Sequence, residues 1–187
     1  MPDGAGGSPL MRLAAPAKAS LAKTEQIILF RVSGQLFAVS SASVQEVRSA
    51  DSMSGAATEI SAPGLRKVRH VLRRGDRSLF IVNGAMHFGL HAAAGALLFV
   101  LRKTRTALLI DGIEKMTTMT RLQALPLSFC HEERRWYRGL TALDQSVVPV
   151  VHPEGFLSPE ELALLDAALL EADNSAGEAL KGTNSAP

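Results

Sequence analysis

Apolar residues along the central part of the chain fall in short runs separated by turn-forming residues, the pattern of a mainly β protein. Gln26 to Val32 is apolar-rich. Ser33-Gly34 then supplies a tight turn, and Leu36 to Ser40 completes an expected hairpin. Val44 to Val47 resumes an extended pattern. Residues 49–63 are rich in Ser, Ala and Gly and end in Pro-Gly, which predicts a loop. Arg73 to Asp76 approaches another turn, and Leu79 to Val82 is a compact strand ended by Asn83-Gly84. Ala96–Leu101 and Thr106–Ile110 flank a polar connection, Arg102 to Arg105, suited to a hairpin. Asp111-Gly112 precedes a weakly alternating stretch, Ile113 to Thr120. Gly139–Leu143 and Ser146–Val151 predict a last hairpin across Asp144-Gln145.

A single helix follows. Ser158 suits the N-cap, Pro159 the first helical position and Glu161 the third, the arrangement of a capping box. Leu162, Leu165, Ala168 and Leu169 then recur at helical spacing and share one face. Glu160 and Glu161 favour the positive end of the helix dipole. Many short strands with frequent turns, plus one terminal helix, predict a β-barrel or a pair of barrels.

The Gly-, Ala-, Pro- and Ser-rich residues 1–23 carry no usable period, and residues 173–187 are similar. Both are expected to be disordered tails, because they bury too little apolar surface to offset the entropy of ordering. The expected organisation is therefore a globular domain over 24–157, a helix over 158–172 packed on it, and the two tails. At 187 residues, 47% hydrophobic and 20% charged, the chain suits one soluble domain. A net charge of +2 does not by itself point to nucleic acid or membrane. No apolar run reaches the ~18 residues of a membrane span, and the N-terminal residues lack the apolar core of a signal peptide. The lone Cys130 excludes an internal disulfide and reads as an ordinary half-buried thiol. A cytoplasmic location is expected.

Candidate chemistry is sparse. His87 and His91 would share one face of a helix, as metal ligands must, but Gly84, Gly89 and Gly95 interrupt the segment and no third ligand stands at a suitable spacing. Surface histidines are the better reading, and no metal or cofactor is expected. Arg66, Lys67, Arg69, His70, Arg73 and Arg74 form a basic stretch that could touch nucleic acid. Few aromatics interleave with it, so a solvated face or an acidic protein partner fits better. Glu132-Glu133 and Asp111 do not make an acid/base pair, since catalytic carboxylates must flank a substrate. No nucleophile-elbow, phosphate-loop or dinucleotide motif occurs, and no enzymatic activity is expected. Open strand edges remain available for binding partners.

Several segments in order resemble a known family. Ile28 to Val39 is similar to the opening hairpin of CheW-like domains, and Val44-Gln45-Glu46-Val47-Arg48 to the next strand. Arg74-Gly75, the strand Leu79–Val82 and His87-Phe88-Gly89-Leu90 resemble the family's centre. Ala107 to Ile113, then Arg138-Gly139-Leu140 with the last hairpin, resemble its closing strands, and Ser158 to Leu170 its terminal helix. The resemblance implies two packed five-stranded β-barrels with a C-terminal helix. It implies a non-enzymatic chemosensory adaptor that joins the regulatory domain of a CheA-type histidine kinase to the cytoplasmic tip of a methyl-accepting receptor, with no nucleic acid and no membrane insertion. Carried over by position, the partner-binding residues are Val44, Glu46, Arg74 and Gly75. The sequence departs from the family pattern at Leu72, Phe80 and Asn83. The departures leave room for a pathway that controls twitching or gene expression rather than swimming.

Overall fold

The structure is a computed structural model and describes residues 24–53, 55–91 and 95–182, with side chains up to residue 175. The expected N-terminal tail and residues 183–187 lie outside the described residues. Among the described residues, eleven strands and three α-helices follow one another: β1 (Glu25–Val32), β2 (Gln35–Ser40), β3 (Val44–Ser49), β4 (Ala57–Glu59), β5 (Val68–Arg74), β6 (Arg77–Asn83), α1 (Gly84–His87), β7 (Leu97–Leu101), β8 (Thr106–Ile110), β9 (Gly112–Met119), α2 (Glu133–Trp136), β10 (Tyr137–Leu143), β11 (Ser146–Val151) and α3 (Pro159–Gly182).

The strands form two sheets. One is five-stranded in the order β10-β11-β2-β1-β9, and the other six-stranded in the order β3-β7-β8-β6-β5-β4. The expectation of two closed five-stranded barrels is thus met only in part: there are two packed β layers, but one has six strands and neither closes as a hydrogen-bonded barrel. The extra strand is β4, inside the segment expected to be a loop. It pairs Ala57, Thr58 and Glu59 with Leu72, Val71 and His70, and three residues are too few to show a period.

The apolar runs of β1, β2, β6, β7 and β8 are continuous because these strands are buried on both faces. In β6, Phe80 and Val82 enter a central core between the sheets, while Leu79 and Ile81 enter a second core inside the six-stranded sheet. In β7, Phe99 and Leu101 divide from Leu98 and Val100 in the same way. In β1, Ile28, Phe30 and Val32 face the central core, and Ile27 and Leu29 a third core inside the five-stranded sheet. Side chains alternate across a strand, so one run such as Leu79–Val82 stitches two cores together.

The turns follow their residues. Ser33 and Gly34 both take positive φ (48° and 77°), as a two-residue hairpin of type I′ requires, and they close Val32 onto Gln35. Asp111 fixes this hairpin by accepting a hydrogen bond from the Gly34 amide (3.0 Å), which gives that carboxylate a structural role.

Helix α3 starts as its sequence dictates. Ser158 Oγ accepts from the Glu161 amide (3.1 Å), and Glu161 Oε2 accepts from the Ser158 amide (2.8 Å). The helix then runs to Gly182, past the expected end at residue 172. Leu165 and Leu169 reach the central core, flanked by Leu162 and Ala168. Ion pairs fasten its flanks: Lys67–Glu161 (2.7 Å), a two-pronged Arg105–Asp166 contact (2.8 and 2.6 Å), and Arg73–Asp173. The sequence stretch 173–182 looked like a tail because its last residues carry no apolar period; helical backbone is continued there from a well-seated start. Arg105 and Asp166 are both more than one-third exposed, so solvent screens their pair. A double-mutant cycle of Arg105→Ala and Asp166→Ala is expected to give a coupling of about 0.5–1 kcal/mol that shrinks in high salt. A coupling of several kcal/mol in urea titrations would contradict this placement.

Candidate partner-binding surface

The hairpin β5–β6 turns on Gly75 and Asp76, with Gly75 at φ +55° and Arg74 opposite Arg77. Glycine takes that left-handed conformation without a β-carbon clash. The turn presents Arg74 at the tip of β5, where Arg74 Nη1 reaches Glu46 Oε2 at 2.9 Å. Glu46 stands on β3, the edge strand at the far side of the same sheet. The ion pair therefore spans the mouth of a curled sheet whose β3 and β5 are not hydrogen-bonded neighbours. Arg48 Nε joins from within β3 at 2.5 Å from Glu46 Oε1. The Arg48 hydrogen bond first, then the charge of Arg74, hold the Glu46 carboxyl below the usual glutamate range. All three side chains remain partly open to solvent.

Three of the four expected contact residues thus meet on one surface: Glu46, Arg74 and Gly75. Val44 does not join them. It is 8% exposed and packs in the central core, and its carbonyl accepts a hydrogen bond from Arg102 Nε (3.1 Å). Its neighbour Val47 is the exposed apolar residue of β3, 42% open. Sequence reading missed Val47 because a β-bulge between Val44 and Glu46 shifts the alternation of the strand.

Half of the basic stretch is neutralised. Lys67 pairs with Glu161 and donates to the Phe156 carbonyl (3.0 Å), Arg73 pairs with Asp173, and Arg74 with Glu46. Arg66, Arg69 and His70 are exposed. The pairing of Lys67, Arg73 and Arg74 interrupts what would otherwise be a continuous phosphate-binding track.

The two histidines do not share a helix face. Helix α1 ends at His87 and Gly89 turns the chain at φ +66°. His91 is exposed, but His87 is not the surface residue expected: it is 3% exposed, and its ring lies against Trp136, Phe88 and Phe156 at centroid distances of 4.4, 4.9 and 4.9 Å. Neither ring nitrogen has a hydrogen-bond partner. Burial, and secondarily the Lys67 charge, push its pKa down to about 3. Among the described residues, no three metal-ligating side chains converge. Cys130 is exposed rather than half-buried. Its Sγ accepts from the Glu133 amide (3.4 Å) while Glu133 accepts from the Cys130 amide (2.8 Å), which is a local turn closure.

The three departures from the family pattern each have a structural place. Leu72 is core, 5% exposed. Phe80 is fully buried beneath the Arg105 guanidinium, 4.9 Å from the ring centroid. Asn83 caps α1 through its side-chain oxygen, which accepts from the Met86 amide (3.1 Å).

The chain is a two-sheet β module with an ion pair at the mouth of one sheet and a docked terminal helix. Among solved structures, the fold is similar to that of the scaffolding protein TtCheW from Thermoanaerobacter tengcongensis, with a TM-score of 0.59 and 10% identity over 73% of this chain and 90% of that one. No curated protein sequence matches the chain. The sequence profile of the CheW-like domain matches residues 26–161, and the chain belongs to that family.

Proposed function

We propose that this chain is a chemosensory adaptor that couples a methyl-accepting receptor to a CheA-type histidine kinase. It would contact the regulatory domain of the kinase and the cytoplasmic tip of the receptor. Membership of the CheW-like family across most of the chain carries this reading. Support comes from the ion-paired surface of Glu46, Arg74 and Gly75 beside the exposed Val47 on an edge strand. Edge strands and partly open charge pairs are surfaces that bind proteins rather than transform substrates. Val44 serves this surface from behind, by packing the strand that carries Glu46.

Titration calorimetry of the purified chain with a CheA-type regulatory domain is expected to give a dissociation constant on the order of 1 μM. Heat-silent mixing at tens of micromolar would overturn the reading. Arg74→Glu places two carboxylates face to face, and should weaken that complex at least tenfold while moving the melting temperature by no more than about 2 °C. A large drop in melting temperature would instead make Arg74 a structural residue.

A further inference from the structure

A cleft of about 640 Å³ opens between the tips of two hairpins and the start of α3. Its cations are Arg74, Arg77, Lys103 and Arg105, against a single acid, Glu154. Arg74 and Arg105 are engaged by Glu46 and Asp166. Arg77 and Lys103 are exposed and form no ion pair among the described residues. The apolar part of the lining is Leu79, Leu101, Leu157 and Leu162. Thr104 also lines the cleft; its hydroxyl is shielded from solvent and has no hydrogen-bond partner.

From these features we infer that the cleft seats an acidic, leucine-bearing helical segment of a partner protein. The adjoining face of the same sheet shows the chemistry. There α3 lays Leu165 and Leu169 on the core and sets Glu161, Asp166 and Asp173 against Lys67, Arg105 and Arg73. Arg105 stands between the two places: it holds Asp166 of α3 and lines the cleft. A second helix alongside α3 would rest apolar side chains on Leu79 and Leu162. Its carboxylates would fall to Arg77 and Lys103, which sit on opposite hairpins and bracket the opening. Helix-in-groove recognition has this form, with apolar anchors inside and complementary charge at the rim.

The inference rests on the adaptor reading in so far as Arg74 borders both surfaces, and the test separates them. The full chain is titrated into a fluorescein-labelled helical peptide with leucines at i, i+3 and i+7 flanked by glutamates. A companion peptide carries glutamine at the glutamate positions. The glutamate peptide is expected to bind at micromolar concentration, and the glutamine peptide at least tenfold more weakly. The double variant Arg77→Glu/Lys103→Glu should lose at least tenfold for the glutamate peptide. Arg66→Glu/Arg69→Glu carries the same charge change on exposed positions outside the cleft, and should shift affinity less than twofold. Equal losses for the two double variants, or no preference for the glutamate peptide, would overturn the inference. A chain that binds the kinase domain but not the peptide refutes the cleft and leaves the adaptor; one that binds the peptide but not the kinase domain does the reverse.

Discussion

On acidification from pH 7 to pH 4 the protein is expected to lose folding stability, and His87→Phe should remove a large part of that loss. His87 is buried in its neutral form among Trp136, Phe88 and Phe156, beside the Lys67 ammonium. Its folded pKa, about 3, lies below the unfolded value of about 6.5. A depressed histidine pKa means that the unfolded chain takes up the proton first. The stabilisation is therefore complete above about pH 6.5 and is lost progressively as the pH falls toward 3. The gap corresponds to roughly 5 kcal/mol across that whole range. Carboxylates such as Glu46 and Glu114, held low by their arginines, also lose stabilisation in acid, so the informative quantity is the difference between wild type and variant. Phenylalanine keeps a ring in the box and removes two unpartnered nitrogens. At pH 7 the variant should be as stable as wild type or more so. Urea titrations at several pH values check this; curves for the two proteins that run parallel from pH 7 to pH 4 would refute it.

Gly155→Ala should abolish cooperative folding or cost at least about 3 kcal/mol. A β-carbon at Gly155 would fall on the carbonyl oxygen and carbon of Arg135. Those are backbone atoms, so no rotamer change relieves the overlap. The short α2 would have to move, and with it the His152–Trp136 backbone hydrogen bond (2.6 Å) and the aromatic box around His87. Gly112→Ala is the control: no atom approaches its β-carbon position and its φ is ordinary. It should stay within about 0.5 kcal/mol of wild type. Thermal unfolding of both variants decides, and a Gly155→Ala protein melting like wild type would count against the packing of α2 on the segment before α3.

Where the strands carry dense apolar runs, the sequence was a sound guide. Leu79–Val82 and Thr106–Ile110 were legible because residues buried on both faces leave no polar gaps, and the Ser158/Glu161 box was legible because capping is a local matter. Strand β5 was hidden. Its bulge between Val68 and His70 leaves Arg69 and His70 exposed in succession, and the segment reads as a basic stretch without strand alternation. The candidate surface was half legible. Glu46 and Arg74 could be picked out one at a time, but their meeting depends on the curl of a six-stranded sheet, which no local pattern encodes. The burial of His87 was equally invisible, because two of the three rings around it, Trp136 and Phe156, come from positions far along the chain.

Strands buried on both faces have a consequence for how such a protein can diverge. At Leu79–Val82 of β6 and Leu98–Leu101 of β7 every position is committed to one core or another, so even a one-residue slip or a polar replacement on either side is expensive. Tolerance is left to the hairpin tips, the edge strand β3 and the outward side of α3. Arg77, Lys103 and Val47 sit at such places, outside the cores. Changes in binding specificity can accumulate there while the scaffold stays fixed, and a library randomised at those positions should yield far more folded variants than one randomised over Leu79–Val82.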